Sequence, residues 1–258
     1  MDLQLKDKVV VVTGGASGIG AAIAEQLARE GAVPVLLDRD PPPAPLAEAL
    51  RALRPDFGHH RLELSDEAAC SAAVRAIAAR FGGIDGLVNN AGTNDGVGLE
   101  AGGAAFRRSL EQNLVHCYLM AHLCADALRQ RRGAIVNVSS KTALTGQGGT
   151  SGYVAAKAAL LGLTREWAAS LAPAGVRVNA VLPAEVMTPM YERAIQARPD
   201  PAQAVRDVAA RIPFGHRFTT AREIADLVVF LLSARSSHTT GQWIHADGGY
   251  VHLDRALG

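Results

Sequence analysis

One glycine-rich turn near the start of the chain constrains the fold more than any other feature. The stretch "VVVVTGGASGIGAAIAEQLA", beginning at Val9, runs from an apolar strand pattern through glycines at positions 14, 18 and 20 into a helical pattern. Glycines at that spacing allow a tight turn, close approach of a pyrophosphate and exposure of the N–H groups at the helix start. Glycines also serve ordinary turns, but the strand before and the helix after this one favour a dinucleotide-binding unit.

Six further apolar runs follow along the chain, with helical patterns between most of them. They are "AVPVLLD", "HHRLEL", "GIDGLVNN", "GAIVNVSS", "VRVNAVLP" and "GQWIHADGG". Apolar runs without alternation are typical of strands covered on both faces, as in a parallel sheet with crossover helices. We therefore predict an α/β fold, a doubly wound parallel sheet of the Rossmann type, as a single domain over residues 1–258. Residues 184–219, with weak strand patterns and several prolines, are predicted to form a mobile lid.

Composition narrows the classes of function. The 26 Lys and Arg residues balance 25 Asp and Glu residues, so no long-range field would attract nucleic acid or an anionic membrane. The three cysteines and eight histidines show no metal-ligand spacing, and His116 and His122 are predicted to be interface or surface residues. With no signal-peptide pattern and no run of membrane-spanning length, we expect a cytoplasmic protein that binds a small neutral molecule and no metal.

The second strand pattern ends at an acidic residue, Asp38, about twenty residues after the glycine turn, where dinucleotide-binding units place their ribose ligand. A carboxylate there hydrogen-bonds the adenosine ribose and repels a 2′-phosphate, which favours NAD. The guanidinium of the next residue, Arg39, could instead contact a 2′-phosphate. We predict NAD as the cofactor and keep NADP as the alternative.

A serine, a tyrosine and a lysine follow the fifth apolar run. Ser140 ends the strand pattern, while Tyr153 and Lys157 are four residues apart in a helical pattern and so share a face. A phenol has a pKa of about 10, and lowering it by about three units requires roughly 4 kcal/mol of phenolate stabilisation. A nearby ammonium and a cationic nicotinamide in a partly dry site can supply that, which would make Tyr153 a general base near neutral pH.

Together these motifs resemble those of the short-chain dehydrogenase/reductase family. The resemblance covers nearly the whole chain: "TGGASGIG", "NNAG" at 89–92, "EQNLV" with Asn113, Ser140, "YVAAK", residues 183–188 and "ADGG" at 246–249. It implies hydride transfer between an alcohol carbon and a nicotinamide, in a homotetramer. It also implies that Ser140 polarises the substrate oxygen and that Asn113 holds a helix distortion and a relay water. Lys157 would bind the nicotinamide ribose and lower the Tyr153 pKa.

The resemblance also implies a set of cofactor contacts. They are Gly14, Ser17, Gly18, Ile19, Gly20, Asp38, Arg39, Leu64, Asn90, Ala91, Gly92, Tyr153, Lys157, Pro183, Val186 and Thr188. Val186, through its backbone, and Thr188, through its hydroxyl, would fix the carboxamide. Two positions depart from the family pattern. Glu63 and Leu64 stand where an Asp is common, which leaves the adenine contact open, and Ala184 replaces the usual glycine, so a positive φ is not expected there.

Polar side chains after the strands indicate the substrate class. The residues predicted to bind substrate are Asn94, Thr142, Gln147, Glu185, Met190 and Tyr191. Such groups suit a polyhydroxylated ligand better than a steroid or fatty acyl chain, which would need an apolar trough. The strings "SSKTALTGQGGTSGY" and "PAEVMTPMY" resemble those of bacterial L-fucose dehydrogenases, which implies oxidation of the anomeric hydroxyl of L-fucose or a related aldose to a lactone. Glu185 is expected either to accept hydrogen bonds from sugar hydroxyls or to bond backbone donors that tie down the lid.

Two other functions stay open. A reductase of 3-oxoacyl groups, or a dehydrogenase of other secondary alcohols, would use the same catalytic residues, although the polar loop after Ser140 counts against it. A cofactor-sensing regulator would keep the fold without turnover. Such a regulator is expected to have lost the tyrosine or the lysine, and both Tyr153 and Lys157 are present.

Overall fold

A seven-stranded sheet forms the centre of the computed structural model, which describes residues 1–253. The strands are β1 (Val9–Thr13), β2 (Val33–Asp38), β3 (Gly58–Arg61), β4 (Gly86–Asn89), β5 (Ala134–Val138), β6 (Arg177–Pro183) and β7 (Trp243–Ala246). Neighbouring strands are parallel, in the order β3-β2-β1-β4-β5-β6-β7. This confirms the predicted doubly wound α/β fold; the last five residues of the predicted domain 1–258 lie outside the described residues.

Helices cover both faces of the sheet. They are α1 (Gly18–Arg29), α2 (Ala44–Leu53), α3 (Glu67–Phe81), α4 (Gly102–Leu110), α5 (His116–Arg131), α6 (Thr142–Thr145), α7 (Ser151–Leu171), α8 (Pro189–Gln196), α9 (Pro201–Ala210) and α10 (Ala221–Leu232). Successive strand residues point to opposite faces. Val9 and Val11 pack in the cluster formed with α3, α5 and α7, whereas Val10 and Val12 pack against α1 and α10. Burial on both sides explains why the strands lack apolar alternation.

The strand order reverses beside β1, which pairs with β2 on one side and with β4 on the other. In open parallel sheets, ligands bind outside the carboxyl ends of the strands at such a reversal. Thr13 and Asn89 end the two strands there. β3 is shorter than its apolar pattern, because it pairs only with β2, which ends at Asp38; the chain then turns into the Asp66 cap of α3.

Residues 184–219 form two helices rather than an irregular loop. Pro189 and Pro201 stand at the first positions of α8 and α9, directly after Thr188 and Asp200, whose side chains cap the helices. Proline is favoured at that position because its missing N–H would have no partner in the helix. The prolines therefore start helices here. The ends of the segment meet where Val186 pairs with residue 219, and movement of the segment as a lid stays a prediction.

Candidate active site

The glycine turn joins β1 to α1 and leaves the start of α1 open. Gly14 and Gly18 have φ values of +63° and +55°, in the left-handed region that favours glycine. A Cβ at Gly20 would overlap the carbonyl oxygen of Gly14. Ser17 caps α1 without a side-chain bond to the helix and is exposed. This backbone cradle, at a helix end with free N–H groups, fits the pyrophosphate of a dinucleotide.

Two side chains, Thr13 and Asn90, fasten the turn to the end of β4. The amide of Asn90 donates to the carbonyl oxygens of Thr13 and Gly14 at 3.0 and 3.1 Å. The Thr13 hydroxyl accepts from the backbone N–H groups of Asn90 and Ala91 and donates to the Val88 carbonyl. Asn90 and Ala91 are therefore held against the turn, at the place expected for the adenosine ribose. Thr13 was not predicted, although a polar residue at the end of a buried apolar run is its signal.

Asp38 stands beside the same turn. Its carboxylate accepts from the Ala16 backbone N–H at 3.0 Å and from the Asp40 N–H at 3.1 Å. These bonds hold the Asp38 carboxylate beside the turn, where the adenosine ribose is expected. The Arg39 side chain is 73% exposed and lies 3.6 Å from the Asp40 carboxylate, clear of the turn. Leu64 is half-buried beyond β3 and packs beside the core.

Tyr153 and Lys157 lie one above the other on α7, as their spacing predicted. The Lys157 ammonium donates to the Val138 carbonyl at 2.9 Å and lies 5.6 Å from the centroid of the Tyr153 ring. Lys157 is only 2% exposed. The Ser139 hydroxyl donates to the Lys157 carbonyl at 2.8 Å, which fixes α7 to the end of β5. A covered cation therefore lies next to the half-buried phenol.

The Ser140 hydroxyl is oriented by the helix that follows it. Its oxygen accepts from the Thr142 backbone N–H at 3.2 Å and from the Thr142 hydroxyl at 3.0 Å. Thr142 was predicted to bind substrate, but it is 3% exposed and its hydroxyl is directed to Ser140. With two bonds accepted, Ser140 can still donate its own proton to a ligand oxygen.

Asn113 lies in a π-helical segment, Glu111–Val115, between α4 and α5. Its amide donates to the Ser109 carbonyl at 3.0 Å, and its oxygen accepts from the Thr93 backbone N–H at 2.7 Å. Gly92 fills the gap between Asn113 and Lys157: a Cβ there would lie 3.1 Å from Asn113 Oδ1 and 3.2 Å from Lys157 Nζ. A side chain at position 92 would therefore press on both polar groups.

His116 is buried within the chain, so its predicted interface or surface position was wrong. It is 3% exposed, and burial together with the nearby Lys157 charge lowers the pKa of its imidazole to about 4. His116 is the first residue of α5, directly after the π-helical segment, and its side chain is directed inward. His122 is exposed. Within residues 1–253 no group of three or more His, Cys, Asp or Glu side chains could hold a metal ion, and no helix could span a membrane.

The start of the 184–219 segment faces the glycine turn. A Cβ on Gly18 would lie 3.4 Å from the Thr188 methyl group, and the Thr188 hydroxyl oxygen accepts from the Tyr191 N–H at 3.2 Å. Val186 is buried, and the carbonyl of Pro183 accepts from the Lys141 N–H at 2.9 Å. Thr188 therefore stands beside the glycine turn, and the cofactor contacts expected of Pro183, Val186 and Thr188 stay predictions.

Glu185 forms an ion pair with Lys141, an arrangement that neither expectation included. Their side chains are 14% and 9% exposed. Burial raises the pKa of the Tyr191 phenol, and so do the charge of Glu185 and a hydrogen bond to it. Lys141 Nζ also lies 3.5 Å from the centroid of the Tyr250 ring. The signal for this pair was present in the sequence as a lysine directly after Ser140.

The other predicted substrate residues lie on more open surfaces. Met190 is 42% exposed, and its sulfur accepts from the Thr93 hydroxyl at 3.4 Å, which joins α8 to the loop after β4. Asn94 is exposed, and its oxygen accepts from the Gly96 N–H at 3.3 Å. Gln147 is exposed in the loop between α6 and α7. The structure thus brings Glu185 and Tyr191 together and leaves Asn94 and Gln147 on separate loops.

Known proteins resemble this chain over its length. The family model described as enoyl-(acyl carrier protein) reductase matches residues 14–251. The 3-oxoacyl-(acyl-carrier-protein) reductase FabG of Thermotoga maritima is 35% identical over 252 residues, which are 96% of this chain and 100% of FabG. The L-fucose dehydrogenase of Bos taurus is 34% identical over 251 residues, which are 96% of this chain and 91% of that enzyme.

Solved structures show the same similarity. The crystal structure of Cj0485 dehydrogenase has a TM-score of 0.97 and 47% identity, and the match covers 100% of this chain and 99% of that one. The ligand-free aldohexose dehydrogenase of Thermoplasma acidophilum has a TM-score of 0.89 and 29% identity, with the same coverage. With its glycine cradle, its buried lysine beside a tyrosine and its matched relatives, the chain belongs to the short-chain dehydrogenase/reductase family of oxidoreductases.

Proposed function

We propose that the protein is an NAD-dependent dehydrogenase that oxidises the anomeric hydroxyl of a neutral aldose, first of all L-fucose, to a lactone. The observation that carries this proposal is the largely buried ion pair between Glu185 and Lys141, the residue that directly follows Ser140. Charged, hydrogen-bonding side chains in that place suit a ligand with many hydroxyl groups. Two of the similar proteins, named as L-fucose and aldohexose dehydrogenases, act on sugars by name.

The residues supply the proton chemistry. Ser140, oriented by Thr142, would donate a hydrogen bond to the anomeric oxygen, and Tyr153 as phenolate would accept the hydroxyl proton. The Lys157 ammonium, 5.6 Å from the centroid of the Tyr153 ring, would bind the nicotinamide ribose. When held in the glycine cradle, NAD would supply the hydride acceptor for the anomeric carbon. Asn113, in its π-helical turn, would hold a water that returns the proton to solvent.

Reduction of 3-oxoacyl thioesters is the second candidate, because FabG is among the similar proteins. It would use the same serine, tyrosine and lysine in the opposite direction. An acyl chain needs an apolar trough, however, and Lys141 and Glu185 place two charges where that trough would begin. The sugar is therefore favoured.

A substrate panel tests the proposal directly. We expect purified protein with NAD to oxidise L-fucose and D-arabinose, because Lys141 and Glu185 would form hydrogen bonds with sugar hydroxyls. The reaction is measured as the absorbance of the reduced cofactor. The panel includes other aldoses, simple secondary alcohols and, in the reductive direction, an acetoacetyl thioester. Turnover of the thioester with no response to any aldose would support the second candidate instead.

Tyr153→Phe should lower kcat by about 10³-fold, because the proton acceptor is lost while the ring remains. The dissociation constant for NAD, measured by fluorescence quenching, should stay within about two-fold, because the glycine cradle is untouched. Tyr118→Phe is the matched control, since Tyr118 is 56% exposed on α5, and it should be fully active. Normal turnover by Tyr153→Phe would overturn the mechanism.

Gly92→Ala should lower kcat by about ten-fold or more, because the added methyl group displaces Lys157 and Asn113 by a few tenths of an ångström. The melting temperature should fall much less than the activity. Gly162→Ala, on α7 with open space around the added methyl, is the control and should be neutral. Equal activity of the two variants would contradict the idea that the space at Gly92 positions Lys157 and Asn113 for catalysis.

NAD should be preferred over NADP in kcat/KM, because the Asp38 carboxylate repels a 2′-phosphate. Asp38→Asn should lower the ratio of kcat/KM with NAD to kcat/KM with NADP by about ten-fold, or about 1.4 kcal/mol. The substitution removes the charge but keeps an acceptor oxygen. Steady-state rates with each cofactor measure both effects. A wild-type preference for NADP would instead assign the site to Arg39.

A further inference from the structure

Four side chains from four separate segments meet in the region after Ser140. They are Lys141 at the start of α6, Glu185 after β6, Tyr191 in α8 and Tyr250 in the turn after β7. The Lys141 ammonium pairs with the Glu185 carboxylate and lies 3.5 Å from the centroid of the Tyr250 ring, while the nearby Glu185 carboxylate helps to raise the pKa of the Tyr191 phenol. We call these four residues the polar cluster.

Backbone contacts hold the polar cluster in place. The Lys141 N–H donates to the Pro183 carbonyl at 2.9 Å, which fixes the lysine to the end of β6. The carboxylate of Asp247 is 6% exposed and accepts from two backbone N–H groups of the turn that carries Tyr250, at 2.8 and 2.9 Å. The Tyr250 ring is thereby set against the lysine. The polar cluster is a fixed wall at the carboxyl edge of the sheet.

The polar cluster has no net charge but keeps acceptor capacity. Lys141 and Glu185 balance each other, as two charges that are 9% and 14% exposed must. The ammonium is occupied by the carboxylate on one side and by the aromatic face of Tyr250 on another. A carboxylate offers about four acceptor sites, and the bond from Lys141 uses one of them. Further lone pairs of a carboxylate suit hydroxyl donors of a ligand.

We propose that Lys141 is the residue that sets specificity for neutral sugars, by holding the Glu185 carboxylate in position to accept hydrogen bonds from sugar hydroxyls. The inference rests on the proposed function, because it names how that site selects its substrate class. Lys141 acts through Glu185 and is a positioning residue. Sugar phosphates and uronic acids are disfavoured, since the Glu185 oxygens can only accept hydrogen bonds and an anionic group has none to donate to them.

Lys141→Met tests the inference, because it keeps the length of the side chain and removes the charge. The KM of the best aldose in the panel should rise by about ten-fold or more, equal to about 1.4 kcal/mol. The kcat should change by less than about three-fold, and the NAD dissociation constant should stay unchanged, because Ser140 and the glycine cradle remain in place. Lys8→Met is the matched control: it breaks the 3.0 Å pair with Asp85 at the opposite edge of the sheet and should leave KM unchanged.

The double variant Lys141→Met/Glu185→Gln completes the test. It leaves no unpaired charge, so it should fold even if Lys141→Met does not. Its KM should equal that of Glu185→Gln alone, because both residues act through one carboxylate. Additive effects on KM, an unchanged KM in Lys141→Met, or a loss confined to kcat would overturn the inference. A wild-type protein that oxidises none of the aldoses would overturn the proposed function itself. An active wild type whose KM is unchanged by Lys141→Met would overturn only the role of Lys141.

Discussion

The contact between the start of α1 and the ends of β1 and β4 is the constraint on which the rest of the site depends. Gly20 packs so closely on the Gly14 carbonyl that no side chain fits, and the Asn90 amide bonds to the same carbonyl. Gly92, two residues after Asn90, lies between Lys157 and Asn113 with little room for a side chain. The glycine cradle and the groups proposed to move the proton are therefore joined by one line of close backbone packing.

A buried cation, the Lys157 ammonium, lies beside the Tyr153 ring. Lys157 is held by the Val138 carbonyl, and its own carbonyl accepts from Ser139, so ammonium and helix are fixed to the same strand end. The imidazole of His116 lies nearby, but burial and the Lys157 charge keep its pKa at about 4. It is thus neutral at neutral pH and adds no second positive charge beside the Tyr153 phenol.

The parts of the fold and site that could be predicted are those that local sequence determines. Strand positions follow from apolar runs, the turn follows from glycine sterics, and Tyr153 and Lys157 share a face because of helical spacing. Long-range packing decided the rest. α8 and α9 were missed because their apolar patterns are short and their prolines also indicate loops. The pairing of Lys141 with Glu185 and Tyr250 depends on three strand ends meeting at one edge, which no local pattern shows.

The side chains of the polar cluster are widely separated along the chain, and this has a consequence for how the molecule is assembled. The bonds that fasten the glycine cradle lie between residues 13 and 91, whereas the polar cluster joins residues 141, 185, 191 and 250. The Lys141–Glu185 pair spans 44 residues, fewer than the 77 between Thr13 and Asn90, but the contact of Lys141 with the Tyr250 ring forms only once the turn after β7 is present. During synthesis, Tyr250 leaves the ribosome well after Ala91. A growing chain therefore contains all the residues of the glycine cradle long before the polar cluster can form.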